Sequence, residues 1–205
     1  GIVNTLKNEK FLEQNPRNAK FKLGIELFRL GANIKIDLKK ICAPYLQRVL
    51  DMTEETVNLV TYDGSDIIYI EKRESPHSMR ICTSIGKRLP MYCTATGKAI
   101  LAFLPEDEAE NIMRSTPMTR FTAHTIPDRW TLKEQLEIIR QEKCAVDLEE
   151  LETGLVCIGA AILDRNGRPA GGISVSGPSM RMTDAKMREI KRTLIDIVEE
   201  ISHEF

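Results

Sequence analysis

The 205-residue sequence has no apolar run near the roughly 18 residues that a membrane-spanning helix needs, and no signal-peptide segment. It also lacks an overall charge, with 29 basic and 30 acidic residues. That balance excludes a protein that coats nucleic acid over its whole surface. Low-complexity tracts, which mark disordered chains, are missing as well. We therefore expect a globular cytoplasmic protein that contacts no membrane.

Residues that build metal sites and catalytic dyads are scarce. The three histidines (His77, His124 and His203) fall in no HxxE or HxH spacing, and the five cysteines form no CxxC pair. An odd number of unpaired cysteines indicates free thiols in a reducing cytoplasm. We expect no cofactor. A metal held by Cys157, Asp147 and a distant histidine remains a weaker alternative.

Charge is unevenly spread along the chain. Residues 1–40 carry nine basic and four acidic residues, a net +5, whereas residues 106–157 carry twelve acidic and six basic residues. A basic end on a neutral body indicates contact with a polyanion at that end, and a solvated helix face explains it equally. The chain opens on GIVNTLKNEKFL without a start Met, so we expect it to be a fragment.

The first 36 residues predict a helix end, a basic hairpin and a second helix. Residues 2–9 read as the end of a helix, and KFLE and AKFKL read as two strands around the turn QNPRN. A basic hairpin after a helix is typical of the wing of a winged helix-turn-helix. Apolar residues then follow at helical spacing over 24–36, which predicts a linker helix: Ile25, Leu27, Phe28, Leu30 and Ile34.

The remaining chain predicts an α+β domain. A helix capped by Asp37 precedes TVNLVTYDG and SDIIYIEKRE, two alternating strands joined by an Asp-Gly turn, and MRICTSIG reads as a third strand. Helices are predicted from Thr96, from Pro105 and over 131–143. CAVDLE, VCIGAAILD and AGGISVSG then read as three closing strands before a final helix capped by Thr183. This order predicts an antiparallel-dominated sheet flanked by helices.

The stretch PMYCTATGKAILA, residues 90–102, contains the only motif that resembles a phosphate loop. Tyr92 stands where the first glycine of such a loop belongs, and Ala99 follows Lys98 in place of the magnesium-binding hydroxyl. Both departures exclude a nucleotide loop. A helix that starts near Thr96 still offers free amides and a positive dipole end to an anion. A capped helix that packs into the core is the alternative, and Lys98 is predicted to be a structural or surface charge.

The strand GISVSG places two hydroxyls on one face. Ser174 and Ser176 are two residues apart, so they point the same way, while Ile173 and Val175 point to the other face. Small hydroxyls on one face suit a small polar ligand lying on the sheet. Serines bonded to local backbone, or exposed, explain the pattern equally well. The acidic run DLEELE is interpreted as a loop and solvent face rather than a glycosidase pair.

The chain resembles the IclR family of bacterial transcriptional regulators. The matching stretches are RLPMYCTATGKAILA, DLEELETGLVCIGAAILDRNGRPAGGISVSGP and the RMT before the last helix, and Asp147, Glu150, Gly154 and Cys157 give the second its specificity. The resemblance covers essentially the whole chain. It implies a GAF/profilin-like effector-binding domain over 37–205, the linker helix over 24–36, and the truncated end of a winged helix-turn-helix over 1–23.

The resemblance implies a regulator whose effector-binding domain alters DNA binding, not an enzyme. Its partners would be operator DNA and a small organic acid, such as a keto acid, glyoxylate, a sugar acid or an aromatic acid, and it would form a homodimer or homotetramer. The implied effector site contains backbone amides at Ala95 and Thr96, a polar wall of Asp147, Cys157, Ser174 and Ser176, and apolar lining from Met91, Leu155 and Ile85. The implied DNA contacts are Lys7, Lys10, Arg17 and Lys20. Thr96 adds bulk where glycine or alanine is common in the family.

Two alternatives belong to other classes of protein. One is a small cytoplasmic hydrolase with Cys157 as nucleophile, which needs a depressed thiol pKa. The other is a dimerisation module without any ligand, which would have a cavity filled by side chains.

Overall fold

The computed structural model describes residues 1–32 and 37–205. The chain divides into two compact units, Gly1–Asp37 and Leu38–Phe205. None of the helices in the described ranges is long and apolar enough to cross a membrane.

The first unit contains a short helix, a hairpin and a second helix, as the sequence predicts. Its elements in chain order are α1 (Ile2–Asn8), β1 (Leu12–Gln14), β2 (Phe21–Leu23) and α2 (Ile25–Ala32). The strands pair antiparallel, with Leu12 opposite Leu23. Asn15 tightens the turn between them, because its side chain accepts the Arg17 N–H at 2.8 Å. The predicted linker helix extends over 24–36, and its last four residues, with Ile34, lie outside the described residues.

The second unit is built on a six-stranded antiparallel sheet. Its elements are α3 (Asp37–Thr53), β3 (Thr56–Asp63), β4 (Asp66–Arg73), β5 (Arg88–Pro90), a 3₁₀ turn (Met91–Cys93), α4 (Ala95–Phe103), α5 (Glu106–Ser115), α6 (Arg129–Glu142), β6 (Ala145–Leu148), β7 (Leu155–Leu163), β8 (Pro169–Pro178) and α7 (Asp184–Ser202). The strands lie in the order β5-β4-β3-β8-β7-β6. The predicted α+β class is confirmed.

One predicted strand is wrong. MRICTSIG, residues 79–86, is an irregular segment, and the edge strand is β5 instead. The reason is the bend at Gly86, whose φ of +85° suits glycine. There the Gly86 N–H donates to the Tyr69 carbonyl at 2.8 Å, so the chain reaches the β4 edge only after this bend.

The sheet separates two apolar clusters. One face, with Val57, Ile158, Ile173 and Val175, packs against α3 and α7. The opposite face, which includes Ala161, packs against α4, α5 and α6. The period of two in β7 and β8 therefore sends aliphatic side chains to the first cluster and small or polar side chains toward α4. The candidate site lies on this second face.

Candidate functional site

Helix α4 begins directly on the sheet. A Cβ on Gly159 would lie 2.6 Å from the Thr96 nitrogen, and a Cβ on Gly172 would collide with the Thr96 methyl group. Two glycines on neighbouring strands therefore allow the helix to approach, which no side chain at either position would permit. This contact brings the first amides of α4 down to the β7–β8 surface.

The first amides of α4 have no side-chain cap. Thr94 occupies the capping position, yet its hydroxyl donates to the Pro90 carbonyl at 3.0 Å instead of accepting from the helix. No side chain of the described residues takes the amides of Ala95 or Thr96. The first N–H groups of a helix have no partner inside the helix, so these amides remain available to an anion.

Sheet register gathers the polar residues opposite those amides. Asp147 on β6 pairs with Cys157 on β7, which pairs with Ser176 on β8. Ser174 pairs with Gly159, the residue beneath the start of α4. Directly paired side chains on one face lie about 4.5–5.5 Å apart, so these groups form one continuous polar surface.

Amides and polar side chains line one cavity of about 50 Å³. A buried water needs about 10–15 Å³ of such volume, so the cavity has room for about three to five water-sized groups. Seven of the nine residues named from the sequence line it: Ala95, Thr96, Asp147, Leu155, Cys157, Ser174 and Ser176.

Two predicted lining residues lie elsewhere. Ile85 lies in the turn with Gly86, is 55% exposed and does not line the cavity. Met91 is buried in the apolar cluster beneath α4 and belongs to the core rather than to the cavity wall.

Sequence reasoning missed the wall contributed by β4 and the segment that follows it. The additional lining residues are Tyr69, Ile81, Cys82, Thr83, Lys87, Leu89, Thr94, Leu151 and Glu152. Alternation along β4 is the one signal that could have found Tyr69, which lies two residues from buried Ile67. The irregular segment 81–83 carries no period at all.

Hydrogen bonds hold this irregular wall in place. The Thr56 hydroxyl donates to the Ile81 carbonyl at 3.0 Å and accepts the Ser75 N–H at 3.3 Å. Arg181 donates to the Met79 carbonyl at 2.9 Å. The wall is therefore fixed by β3 and by the segment before α7.

The two serines differ in their availability. Ser176 accepts from the Asn58 amide at 3.3 Å and lies opposite Cys157 on the neighbouring strand, and Asn58 accepts from the Thr83 hydroxyl at 2.6 Å. Ser174 is 3% exposed and lines the cavity, yet its hydroxyl has no partner among the described residues. The hydroxyl therefore faces the cavity, where a ligand can complete its hydrogen bonding.

Asp147 is the carboxyl group of the cavity wall. It is 1% exposed, and one of its oxygens accepts the Glu150 N–H at 2.7 Å. Burial raises the pKa of this carboxyl to about 7, and the nearby Glu150 carboxylate acts in the same direction. Near neutral pH the group is therefore divided between its charged and neutral forms.

Behind the wall lies a buried ion pair that sequence reasoning placed differently. Lys98 is 1% exposed and donates to the carboxylate of Glu150, to the Val146 carbonyl at 2.7 Å and to Gln135 Oε1 at 3.0 Å. It is a structural charge, and the surface alternative is wrong. Glu150 is 6% exposed, so the interpretation of DLEELE as solvent face is wrong at that residue. Its Oε2 has no hydrogen-bond partner among the described residues.

The geometry does not favour a hydrolase based on Cys157. Burial and the neighbouring Asp147 raise the pKa of the Cys157 thiol, the opposite of what a thiolate nucleophile requires. None of the described residues that line the cavity is a histidine. Within the described ranges, no group of three or more His, Cys, Asp or Glu is arranged to hold a metal.

The basic residues of the first unit lie apart from this cavity in sequence. Lys10, Arg17 and Lys20 are exposed, and Lys7 is half-buried with its ammonium donating to Gln14 Oε1 at 2.8 Å. Their role in DNA contact stays a prediction.

Known proteins resemble this chain in sequence and in fold. Residues 32–203 match the family described as bacterial transcriptional regulator IclR C-terminal. The chain is 33% identical over 190 residues to the HTH-type transcriptional regulator KdgR of Dickeya chrysanthemi, covering 92% of this chain and 62% of that protein. It is 32% identical over 203 residues to the HTH-type transcriptional repressor AllR of Escherichia coli K12, covering 98% of this chain and 75% of that protein.

A solved structure agrees with the sequence match. The crystal structure of the Thermotoga maritima IclR superposes with a TM-score of 0.83 at 33% identity, covering 98% of this chain and 82% of that one. Antiparallel sheet, flanking helices and sequence together define the α+β domain class found at the C-terminus of bacterial regulators. The chain belongs to the IclR family of transcriptional regulators.

Proposed function

We propose that residues 37–205 bind a small organic acid in the cavity between α4 and the sheet, and that this binding alters DNA binding by an N-terminal domain. The observation that carries the proposal is that the uncapped α4 amides and the Ser174 hydroxyl, which has no partner among the described residues, border the same cavity. Both features leave hydrogen bonds that the described residues do not complete. A carboxylate completes both at once.

The acid lies with its carboxylate on the amides of Ala95 and Thr96. Ser174 donates to the same carboxylate, and Asp147, Cys157 and Ser176 face the rest of the molecule. A cavity of about 50 Å³ favours an acid of about two to four carbons, such as a glyoxylate-like or keto acid, over a sugar acid or an aromatic acid.

The regulatory step is a linkage between two binding reactions. In this proposal residues 1–23 belong to the end of a winged helix-turn-helix, and α2 (Ile25–Ala32) belongs to the link between it and the effector domain. In a homodimer or homotetramer, an acid that binds one arrangement of protomers more tightly shifts the arrangement of the paired DNA-binding domains. Lys7, Lys10, Arg17 and Lys20 contribute contacts to the operator phosphates.

Calorimetric titration with glyoxylate, pyruvate and lactate tests the effector site. A hydrogen bond to a charged group contributes about 1.5–3 kcal/mol, so Ser174→Ala is expected to weaken binding by about tenfold to a hundredfold. Ser78→Ala is the matched control, because Ser78 is exposed and outside the cavity. Wild-type protein that binds none of these acids, or Ser174→Ala that binds as tightly as Ser78→Ala, would refute the assignment.

A further inference from the structure

The cavity holds a carboxyl group within reach of the acid that we place there. Gly159, beneath the Thr96 nitrogen, pairs with Ala145, and Asp147 lies two residues further along β6 on the same face. Such diagonal neighbours on a sheet lie about 7–8 Å apart. A two- to four-carbon acid seated on the α4 amides therefore extends to the Asp147 carboxyl.

Within the described part of the chain, no cation forms an ion pair with that carboxyl, and the charge of Lys98 acts on it only without direct contact. The titratable groups that face it are Glu150 in the following turn, Lys98 on α4, Cys93 before α4, Cys157 on β7 and Tyr69 on β4. The Lys98 ammonium pairs with Glu150 and donates hydrogen bonds to Gln135 and to the Val146 carbonyl. No ion pair joins Asp147 to a cation among the described residues.

Charged groups at the rim stand apart from this cluster. Lys87 and Glu152 line the mouth of the cavity and are exposed to solvent. Exposed charges are screened, so they compensate a buried carboxylate weakly. An ionised Asp147 is therefore a second anion in the same small cavity as the bound acid, and two anions in one site disfavour each other.

We propose that binding of the acid is coupled to uptake of one proton by Asp147, whose neutral carboxyl then donates a hydrogen bond to the acid's second oxygen. The inference rests on the proposed function and adds its regulation and specificity. The proton comes from solvent, and no covalent bond of the acid changes. The site thus selects an anion that carries an acceptor, such as a keto oxygen, opposite its carboxylate.

The proton uptake falls in the physiological range. Burial holds the pKa of Asp147 at about 7 in the free protein, so the neutral form is the minority above neutral pH. If only that form binds the acid, the apparent Kd rises with the ionised fraction, by about tenfold between pH 6 and pH 8.

Calorimetry at the two pH values tests the coupling with the panel acid that binds most tightly. We expect the Kd to be about tenfold higher at pH 8 than at pH 6. Titrations in buffers of different ionisation enthalpy should show uptake of about 0.9 proton per acid bound at pH 8 and about 0.1 at pH 6. Asp147→Asn keeps the shape and a donor, so its Kd should vary less than about twofold over the same range. Asp107→Asn makes the same chemical change at an exposed residue outside the cavity, and it should retain the tenfold dependence.

Each outcome decides between the two proposals. Wild-type binding with equal Kd at both pH values, or with no proton uptake, overturns the coupling and leaves the effector site standing. Asp147→Asn that keeps the pH dependence, or Asp107→Asn that loses it, assigns the proton to another group and also overturns the inference. Wild-type protein that binds no acid at either pH overturns the proposed function, and the coupling falls with it. The proton count on wild-type protein needs no variant, so a poorly folded variant does not decide the result.

Discussion

Replacing Lys98 by methionine removes the ammonium group that is paired with Glu150 inside the protein. Methionine has a similar length and is apolar, so the packing around the stem is largely kept. Three acceptors lose their donor, namely the Glu150 carboxylate, the Val146 carbonyl and the Gln135 amide oxygen. Because the second oxygen of Glu150 already has no partner among the described residues, the whole carboxylate becomes uncompensated.

The expected loss is large and depends on pH. Breaking a buried ion pair by removing one partner costs about 3–5 kcal/mol, a large part of the 5–15 kcal/mol that stabilises a typical domain. Burial raises the pKa of Glu150, and Lys98 opposes that rise, so the substitution raises the pKa further. A group whose folded-state pKa is raised stabilises the fold at low pH and loses that contribution as pH rises. The loss should therefore be small near pH 4.5 and full near pH 7.5.

Urea unfolding at both pH values measures this effect. Lys133→Met is the control, because Lys133 pairs with Glu110 at the surface and its loss should change stability by less than about 0.5 kcal/mol. Adding Glu150→Gln to Lys98→Met removes the buried charge and should restore at least about 1 kcal/mol at pH 7.5. A loss below about 1 kcal/mol, or an equal loss at both pH values, would refute the buried pair as described.

Three further predictions follow from the cavity. Burial raises the Asp147 pKa from an ordinary 3.8 to about 7, so the free energy of unfolding of the wild type should fall by up to about 4 kcal/mol as pH rises from 4 to 7. Urea unfolding should therefore find Asp147→Asn more stable than wild type at pH 8 but not at pH 4.5. Gly159→Ala should push Thr96 off the sheet, lower the melting temperature and abolish acid binding in calorimetry; unchanged binding would contradict the close approach. Mass spectrometry after brief iodoacetamide treatment at pH 7 should find the exposed Cys82 alkylated well before Cys157. Faster labelling of Cys157 would instead support a hydrolase with Cys157 as its nucleophile.

Regular elements of the fold could be predicted from the sequence because their periods are local. Alternation in β8 places Ser174 and Ser176 on the face opposite Ile173 and Val175, and the structure has this arrangement. The helix start near Thr96 likewise follows from the short turn before an apolar run. In both cases the pattern of neighbouring residue types is enough to predict the element.

Other parts of the site could not be predicted because they depend on distant contacts. Lys98 and Glu150 are 52 residues apart, and nothing local in either stretch indicates that both are buried. The wall at Ile81 and Thr83 is irregular and is placed by hydrogen bonds from β3. Ile85 was expected in the lining by resemblance alone, and in the structure it is an exposed residue of the turn at 85–86.

The polar groups of the cavity are unfavourable for stability in the absence of a ligand. Among the described residues, the Asp147 carboxyl with its raised pKa and the unpartnered Ser174 hydroxyl line one small cavity, and the unpartnered Oε2 of Glu150 lies behind its wall. Such clusters of unsatisfied groups are typical of binding sites, where the ligand completes what the fold leaves open.

A crystal structure of the protein soaked with the tightest-binding small acid tests the central claim most directly. We expect electron density for the acid between α4 and the sheet, with carboxylate oxygens about 2.7–3.1 Å from the amide nitrogens of Ala95 and Thr96 and from the Ser174 hydroxyl. An acid bound elsewhere, or a cavity filled by side chains at saturating acid, would contradict it.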